Sequence, residues 1–263
     1  MAEGSDQADP GAGIPAATLI LFSEDEGQVA KHLMIQRTSK MNFAPGAMVF
    51  PGGRVDEDDH MIAGDPGLVE LDAGDPVDRA HRVAAIREIV EEVGVLVGFA
   101  SMGGFDPLAL QASLKQNVPF SSLLRDAGAR LDLAAIVPWA QWHPKFQMHR
   151  RFDTRFYIAR HDGDHAFCAD IDEVHQAVWL EAREAVAQAE SGKAKIIYPT
   201  LCNLERLAEY PTFDAAVAHA ATLECLPISP VIAEDERGER WISIPEGSGY
   251  PITSRLMSTL TTP

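Results

Sequence analysis

Three glutamates, Glu88, Glu91 and Glu92, stand within five residues, with Arg87 directly before the first and four residues before the second. At about 100° per residue the three carboxylates share about 100° of arc on a helix. Like charges so placed cost helix stability, and a solvated helix would intersperse lysines. Here the one base nearby is Arg87. The pattern makes chemical sense if a cation occupies that face. Magnesium takes hard oxygen ligands and is usually held by a few carboxylates plus substrate phosphates. Arg87 would then hold Glu88 or Glu91 in place. Elsewhere, Arg37, Arg151 and Arg155 are candidate phosphate clamps, because a guanidinium binds phosphate through two N–H groups. Ion pairing with acidic loops is their alternative. Trp139, Trp142 and Phe146 could stack on a base, although an aromatic beside a strand is more often core.

The helix that must carry the glutamates is predicted from Asp75 to Gly94. Asp75 can cap it, Pro76 suits its first turn, Asp78 suits its positive end and Gly94 suits its stop. Val83, Ile86, Val90 and Val93 share roughly an 80° sector, which is the expected core stripe. Strands are expected at Ala16 to Phe22, His32 to Arg37, Leu133 to Trp142, Phe152 to Ala159 and Gln176 to Leu180. Two short helices are expected within Pro107 to Ala127. Three more fall at Glu181 to Ala189, Thr200 to Ala208 and Phe213 to Leu223, and a hairpin near Val231 to Ile244 turns at Arg237-Gly238. Residues 56–78 hold nine acids and no Lys or Arg, and most of that stretch is expected to be an exposed loop. The whole reads as an α/β (α+β) sandwich with a mixed sheet and extra C-terminal helices. Residues 1–14 read as a flexible tail, 15–225 as the main domain with an insertion at 60–78, and 226–263 as a C-terminal hairpin and tail.

The chain has 263 residues, 46% of them hydrophobic and 23% charged, which fits a folded protein rather than a disordered one. With 39 acids against 22 bases its formal charge is −17, which excludes a nucleic-acid polymer or an anionic membrane as partner. Cys168, Cys202 and Cys225 form no CxxC pair and read as packing residues of a reducing compartment. The expected setting is cytoplasmic, without a membrane span. The partner is expected to be a small molecule, and a homodimer is left open.

The string Arg87-Glu88-Ile89-Val90-Glu91-Glu92-Val93-Gly94-Val95 resembles the second half of the Nudix box, and Phe50-Pro51-Gly52-Gly53 resembles the loop that opens it. The resemblance implies a Nudix-type α/β/α sandwich in which the box forms loop-helix-loop. It also implies hydrolysis of a nucleoside diphosphate linked to another group, with Mg2+ or Mn2+. Asp59 stands where the pattern has its first Glu. Residues 60–86 then separate it from Arg87, an insertion of about 20 residues relative to the pattern. The metal ligands implied are Glu88, Glu91, Glu92 and the backbone carbonyl of Gly52. The general base implied is either Glu88 or a later acid, for which Glu173 stands in a matching position. His175 is a further option whose ordinary pKa suits the task, set against the reading of a surface histidine.

The wider pattern is more specific. Leu33-Met34-Ile35-Gln36-Arg37-Thr38, then Gly46 and Phe50-Pro51-Gly52-Gly53, is similar in spacing to a signature of coenzyme A diphosphatases, departing from it at Ile35, Thr38 and Asn42. The run Asn42 to Phe50, with Arg151 to Tyr157 and Tyr198-Pro199-Thr200, resembles the peroxisomal branch of that group, which also carries an insertion in the box. The implied reaction converts coenzyme A or acyl-CoA to 3′,5′-ADP and (acyl)phosphopantetheine. ADP-ribose, a dinucleotide or NADH are alternative substrates. A non-catalytic ligand-binding or regulatory module is the alternative of another class, and the three intact glutamates argue against it.

Overall fold

Two apolar runs, Ile14–Phe22 (β1) and Lys31–Arg37 (β2), are buried on both faces, which requires layers above and below them. In the computed structural model, which describes residues 13–39, 44–70, 74–144, 151–163 and 174–260, those layers are present. Met48–Val49 (β3) and Gly52–Arg54 (β4) follow, then a short helix Glu57–Ala63 (α1), Val69–Glu70 (β5) and the long helix Pro76–Val93 (α2). Next come Phe99–Ser101 (β6), Pro107–Lys115 (α3), Phe120–Ala127 (α4), Arg130–Asp132 (β7), Val137–Trp142 (β8), Phe152–Arg160 (β9) and Val174–Glu181 (β10). Three helices, Ala182–Glu190 (α5), Tyr198–Leu207 (α6) and Phe213–Ala220 (α7), precede Pro227–Ile228 (β11), Val231–Glu234 (β12), Arg240–Ser243 (β13) and Ser254–Leu256 (β14).

The largest sheet has the order β11-β8-β9-β1-β4 and is mixed: β1 runs parallel to β9 and antiparallel to β4. A second sheet, β10-β2-β3, is antiparallel. Alternation along the strands divides the core. Ala17, Leu19, Leu21, Leu33 and Ile35 pack with α2, whereas Ile20, Phe22 and Met34 pack with Ala185 of α5, Leu204 of α6 and Ala216 of α7. This is the expected α/β/α sandwich with added C-terminal helices.

Four local expectations need correction. Residues 56–78 are not mostly exposed loop. Asp56 precedes α1, the acids Glu57, Asp58 and Asp59 fill its first turn, and Asp59, Ile62, Ala63, Leu68 and Val69 are buried. Acids there suit the positive helix end, so the acidic composition reported a helix start rather than solvation. The segment also binds to later structure: β5 pairs with β7, and Asp58 accepts hydrogen bonds from Ser121 N–H at 2.9 Å and Ser121 Oγ at 2.5 Å, at the start of α4. Leu133–Ala135 is a 3-10 turn rather than strand, because the Asp132 side chain accepts from Ala134 N–H and winds the backbone. The C-terminal hairpin turns at Gly238 as expected but gains a third strand, β14, which pairs with β13. Finally, α2 is buried almost all round, Glu92 included, and not only along one stripe. Trp139 and Trp142 lie in the core as expected of aromatics beside strands, and Phe146 lies outside the described residues. Among the described residues, no helix is long and apolar enough to cross a membrane.

Candidate active site

The site is built where the long helix meets the edge of the large sheet. Asp75 accepts from Val77 N–H at 3.3 Å, Pro76 opens α2, and Gly94 closes it at φ 68°, a left-handed position that suits glycine. The helix therefore begins and ends as the sequence indicates. Strand β4 is the free edge of its sheet. Pro51 and Val55 exchange hydrogen bonds with β1, so by alternation the peptide groups of Gly52 and Arg54 point outward. Both address α2. Gly52 N–H donates to Glu92 Oε2 at 2.9 Å, and the Arg54 carbonyl accepts from Arg87 Nη2 at 2.9 Å.

Arg87 is the hub. Its Nε and Nη2 donate to Asp59 Oδ1 and Oδ2 at 3.0 and 2.9 Å, a bidentate pair in which Asp59 is fully buried. Its Nη1 donates to Glu88 Oε1 at 2.9 Å and Glu91 Oε2 at 3.4 Å. Burial works against the guanidinium charge, but Asp59, Glu88 and Asp56 more than offset it and hold Arg87 protonated. One guanidinium thus sets the spacing of two box glutamates and ties them to α1. Asp59, aspartate where the sequence pattern has glutamate, still reaches its partner because α1 brings it in.

Glu88 lies against Gly53. A side chain at Gly53 would collide with the Glu88 carboxyl, and one at Gly52 would collide with the Ala17 carbonyl. Backbone approach therefore requires glycine at Gly52, and a side chain at Gly53 would displace the Glu88 carboxyl. Burial pushes the Glu88 carboxyl up to about 7; Arg87 opposes this and Glu91 adds to it. Glu92 is buried and Glu91 remains one-third exposed at its side chain. Gln111 of α3 was not legible as a site residue. It is buried and donates to the Glu91 carbonyl at 3.0 Å, supporting the last turn of α2. A glutamine on a short helix usually reads as surface, so the sequence carried no signal for it.

The structure brings Arg87, Glu88, Glu91, Glu92 and Gly52 together. It does not bring in Arg155, whose Nη1 donates to Asp78 Oδ1 at 3.1 Å alongside Tyr157 Oη and Arg82 Nε. Asp78 lies ten residues before Glu88, or about 15 Å along the helix. Arg37 is the last residue of β2, and Arg151 immediately precedes β9. His175 is exposed on β10; Glu173 and Cys168 lie outside the described residues.

Among the described residues, no three His, Cys, Asp or Glu side chains converge as a ready-made metal site. The donor chemistry nevertheless suits a hard divalent cation. Glu88 sits in a cradle that a Cβ would fill, and burial, with Glu91 beside it, disfavours its charged form, which a bound cation would stabilise.

A family model described as the NUDT19 Nudix domain matches residues 68–207. The chain is 29% identical over 203 residues to a Caenorhabditis elegans protein bearing the name nudix hydrolase 7, covering 76% of this chain and 62% of that one. It is 25% identical over 257 residues to the acyl-coenzyme A diphosphatase NUDT19 of Xenopus laevis, covering 78% and 68% respectively. With the human protein of that name it shares 27% identity over 226 residues, covering 68% and 60%. The chain thus spans about three-fifths to two-thirds of the length of these relatives. Among solved structures, a NUDIX hydrolase from Alicyclobacillus acidocaldarius superimposes with a TM-score of 0.70 at 27% identity, covering 83% of this chain and all of that one.

Proposed function

Because the chain belongs to the NUDT19 Nudix domain family, we propose that it hydrolyses the pyrophosphate bond of coenzyme A or acyl-CoA, giving 3′,5′-ADP and (acyl)phosphopantetheine. The observation that carries the proposal is the Arg87 hub: one guanidinium joins Asp59, Glu88 and Glu91 while β4 holds Glu92. Glu88, Glu91, Glu92 and the outward carbonyl of Gly52 would hold Mg2+ or Mn2+. When bound, such an ion neutralises pyrophosphate charge and lowers the pKa of water.

The chain's own residues supply the rest. Arg87 fixes Glu88 and Glu91, so neither has to be ordered when substrate arrives. Glu88 is the base proposed to take the proton from the attacking water, with Glu173 as the alternative. Water adds to one phosphorus as the bridging oxygen leaves with the other. Arg37 and Arg151 are proposed to hold phosphate oxygens. Arg155 could join them only by leaving Asp78.

The test is to incubate the purified protein with Mg2+ or Mn2+ and coenzyme A, acyl-CoA, ADP-ribose, a dinucleotide and NADH, identifying products by mass. Cleavage of coenzyme A to 3′,5′-ADP is expected. Cleavage of ADP-ribose without coenzyme A would overturn the substrate, and no turnover with any of them would favour a non-catalytic binding module. Glu92→Gln can still accept from Gly52 N–H, so it is expected to fold normally while turnover falls about 100-fold. Near-wild-type turnover in that variant would refute the proposed ligand set.

A further inference from the structure

A cleft of about 200 Å³ opens between the β10-β2-β3 sheet and the end of α5. Met48, Val178 and Leu180 form its apolar side, Gln36 adds an amide, and Lys193 and Lys195 stand at its rim. The lysines are carried on a fixed backbone. Gly192, at φ 72°, ends α5, and Lys193 N–H donates to the Gln188 carbonyl at 2.9 Å. The Lys195 carbonyl accepts from Met48 N–H at 2.7 Å, and Ile196 bridges to Met48 in parallel. Ala194 and Ile196 are buried, whereas Lys193 is exposed and Lys195 half-buried.

Among the described residues, neither lysine side chain has a carboxylate partner. That is notable in a chain of charge −17, where acids outnumber bases 39 to 22. Two like charges two residues apart repel weakly in water, and an anion between them would relieve that repulsion. The cleft is smaller than the roughly 300–1,000 Å³ of a whole-ligand site, so it suits one end of a longer molecule. The cleft lies on the α5 side of its sheet, the side away from α2, but Met48, which lines it, stands four residues before Gly52, which touches Glu92, and four residues of chain span at most about 14 Å.

We infer that this cleft is the subsite for the nucleoside end of the substrate, with Lys193 and Lys195 binding a phosphomonoester on its ribose. The inference rests on the coenzyme A reading and makes the two lysines the residues that select coenzyme A over its 3′-dephospho form.

The experiment compares kcat/KM for coenzyme A and 3′-dephospho-coenzyme A in the wild type and in Lys193→Ala/Lys195→Ala. Calorimetric binding of adenosine 3′,5′-bisphosphate is measured against AMP in both proteins. The wild type is expected to prefer the 3′-phosphorylated partner of each pair, and the double variant to lose that preference by about ten-fold or more. A preference unchanged within about two-fold overturns the inference. If the wild type cleaves neither coenzyme, the substrate reading fails, and the binding pair alone decides the cleft: no discrimination by the lysines against AMP overturns it. Lys193 is exposed, so the single Lys193→Ala variant keeps the comparison available should the double variant misfold.

Discussion

A single guanidinium carries more of this site than any carboxylate. Arg87 donates to Asp59, Glu88, Glu91 and the Arg54 carbonyl, while its side chain is only 8% exposed. A lysine at that position keeps the charge but cannot form the bidentate contact with Asp59 and also reach Glu88. Arg87→Lys is therefore expected to cost about 3 kcal/mol of stability, because it leaves the fully buried Asp59 poorly compensated. Denaturant unfolding measures this, and adding Asp59→Asn should recover part of the loss. A cost below about 0.5 kcal/mol would mean that the pair is no more than a surface contact. The acids and Arg87 were legible in sequence as a charge pattern. That Asp59 is the carboxylate on which Arg87 is anchored was not, because 27 residues separate the two in the chain.

Two elements explain how an interrupted box still closes. Helix α1 starts at the acids of residues 56–59 and buries Ile62 against α2 and α4, which places Asp59 beside Arg87. If the insertion were a solvated excursion, Ile62→Ala would cost under about 0.5 kcal/mol. With Ile62 at 0% exposure the expected cost is about 3 kcal/mol, read by denaturant midpoint. Strand β2 carries a second device. His32 is buried, its Nδ1 lies 3.0 Å from the Leu21 carbonyl, and its ring meets Phe22 edge-on at 4.5 Å. Burial lowers its pKa from 6.5 to about 4, and the Leu21 hydrogen bond opposes this. The folded protein therefore keeps His32 neutral in a range where the unfolded chain protonates it. Its contribution is full above pH 6.5 and is lost as pH falls from 6.5 through 4. Relative to His32→Gln, the wild type should lose about 2 kcal/mol between pH 7 and pH 5. A stability difference that stays flat over that interval would show that His32 is solvated.

At the scale of the molecule, the C-terminal segment is locked to the sandwich through a buried polar chain. Trp142 Nε1 donates to Tyr250 Oη at 3.0 Å, and Tyr250 Oη donates to Asn203 Oδ1 at 3.0 Å. Asn203 also accepts from Trp139 Nε1 at 3.0 Å, and Arg206 stacks 3.6 Å over the Trp139 ring. Tyr250→Phe strands the Trp142 N–H in the core and is expected to cost about 1–3 kcal/mol. Hydrogen exchange across β12 to β14 should rise with it. Unchanged exchange there would show that apolar contacts alone hold the segment. The charge of −17 divides across these parts: the box acids face one arginine, the acids of residues 56–59 start a helix, and two lysines meet at a separate cleft.

The sequence by itself determined the box helix, its caps, the buried strands and the C-terminal helices. These follow from local spacing, turn chemistry and apolar periodicity, which read the same in a chain and in a fold. Tertiary structure decided what depends on distant partners. It converted an acid-rich stretch into α1, paired Arg155 with Asp78 rather than with the glutamates, and placed Gln111 under Glu91. It also set Lys193 and Lys195 beside Met48. The physical reason is the same in each case: a polar side chain takes its role from what lies within about 3 Å of it, and only the folded chain sets that neighbour.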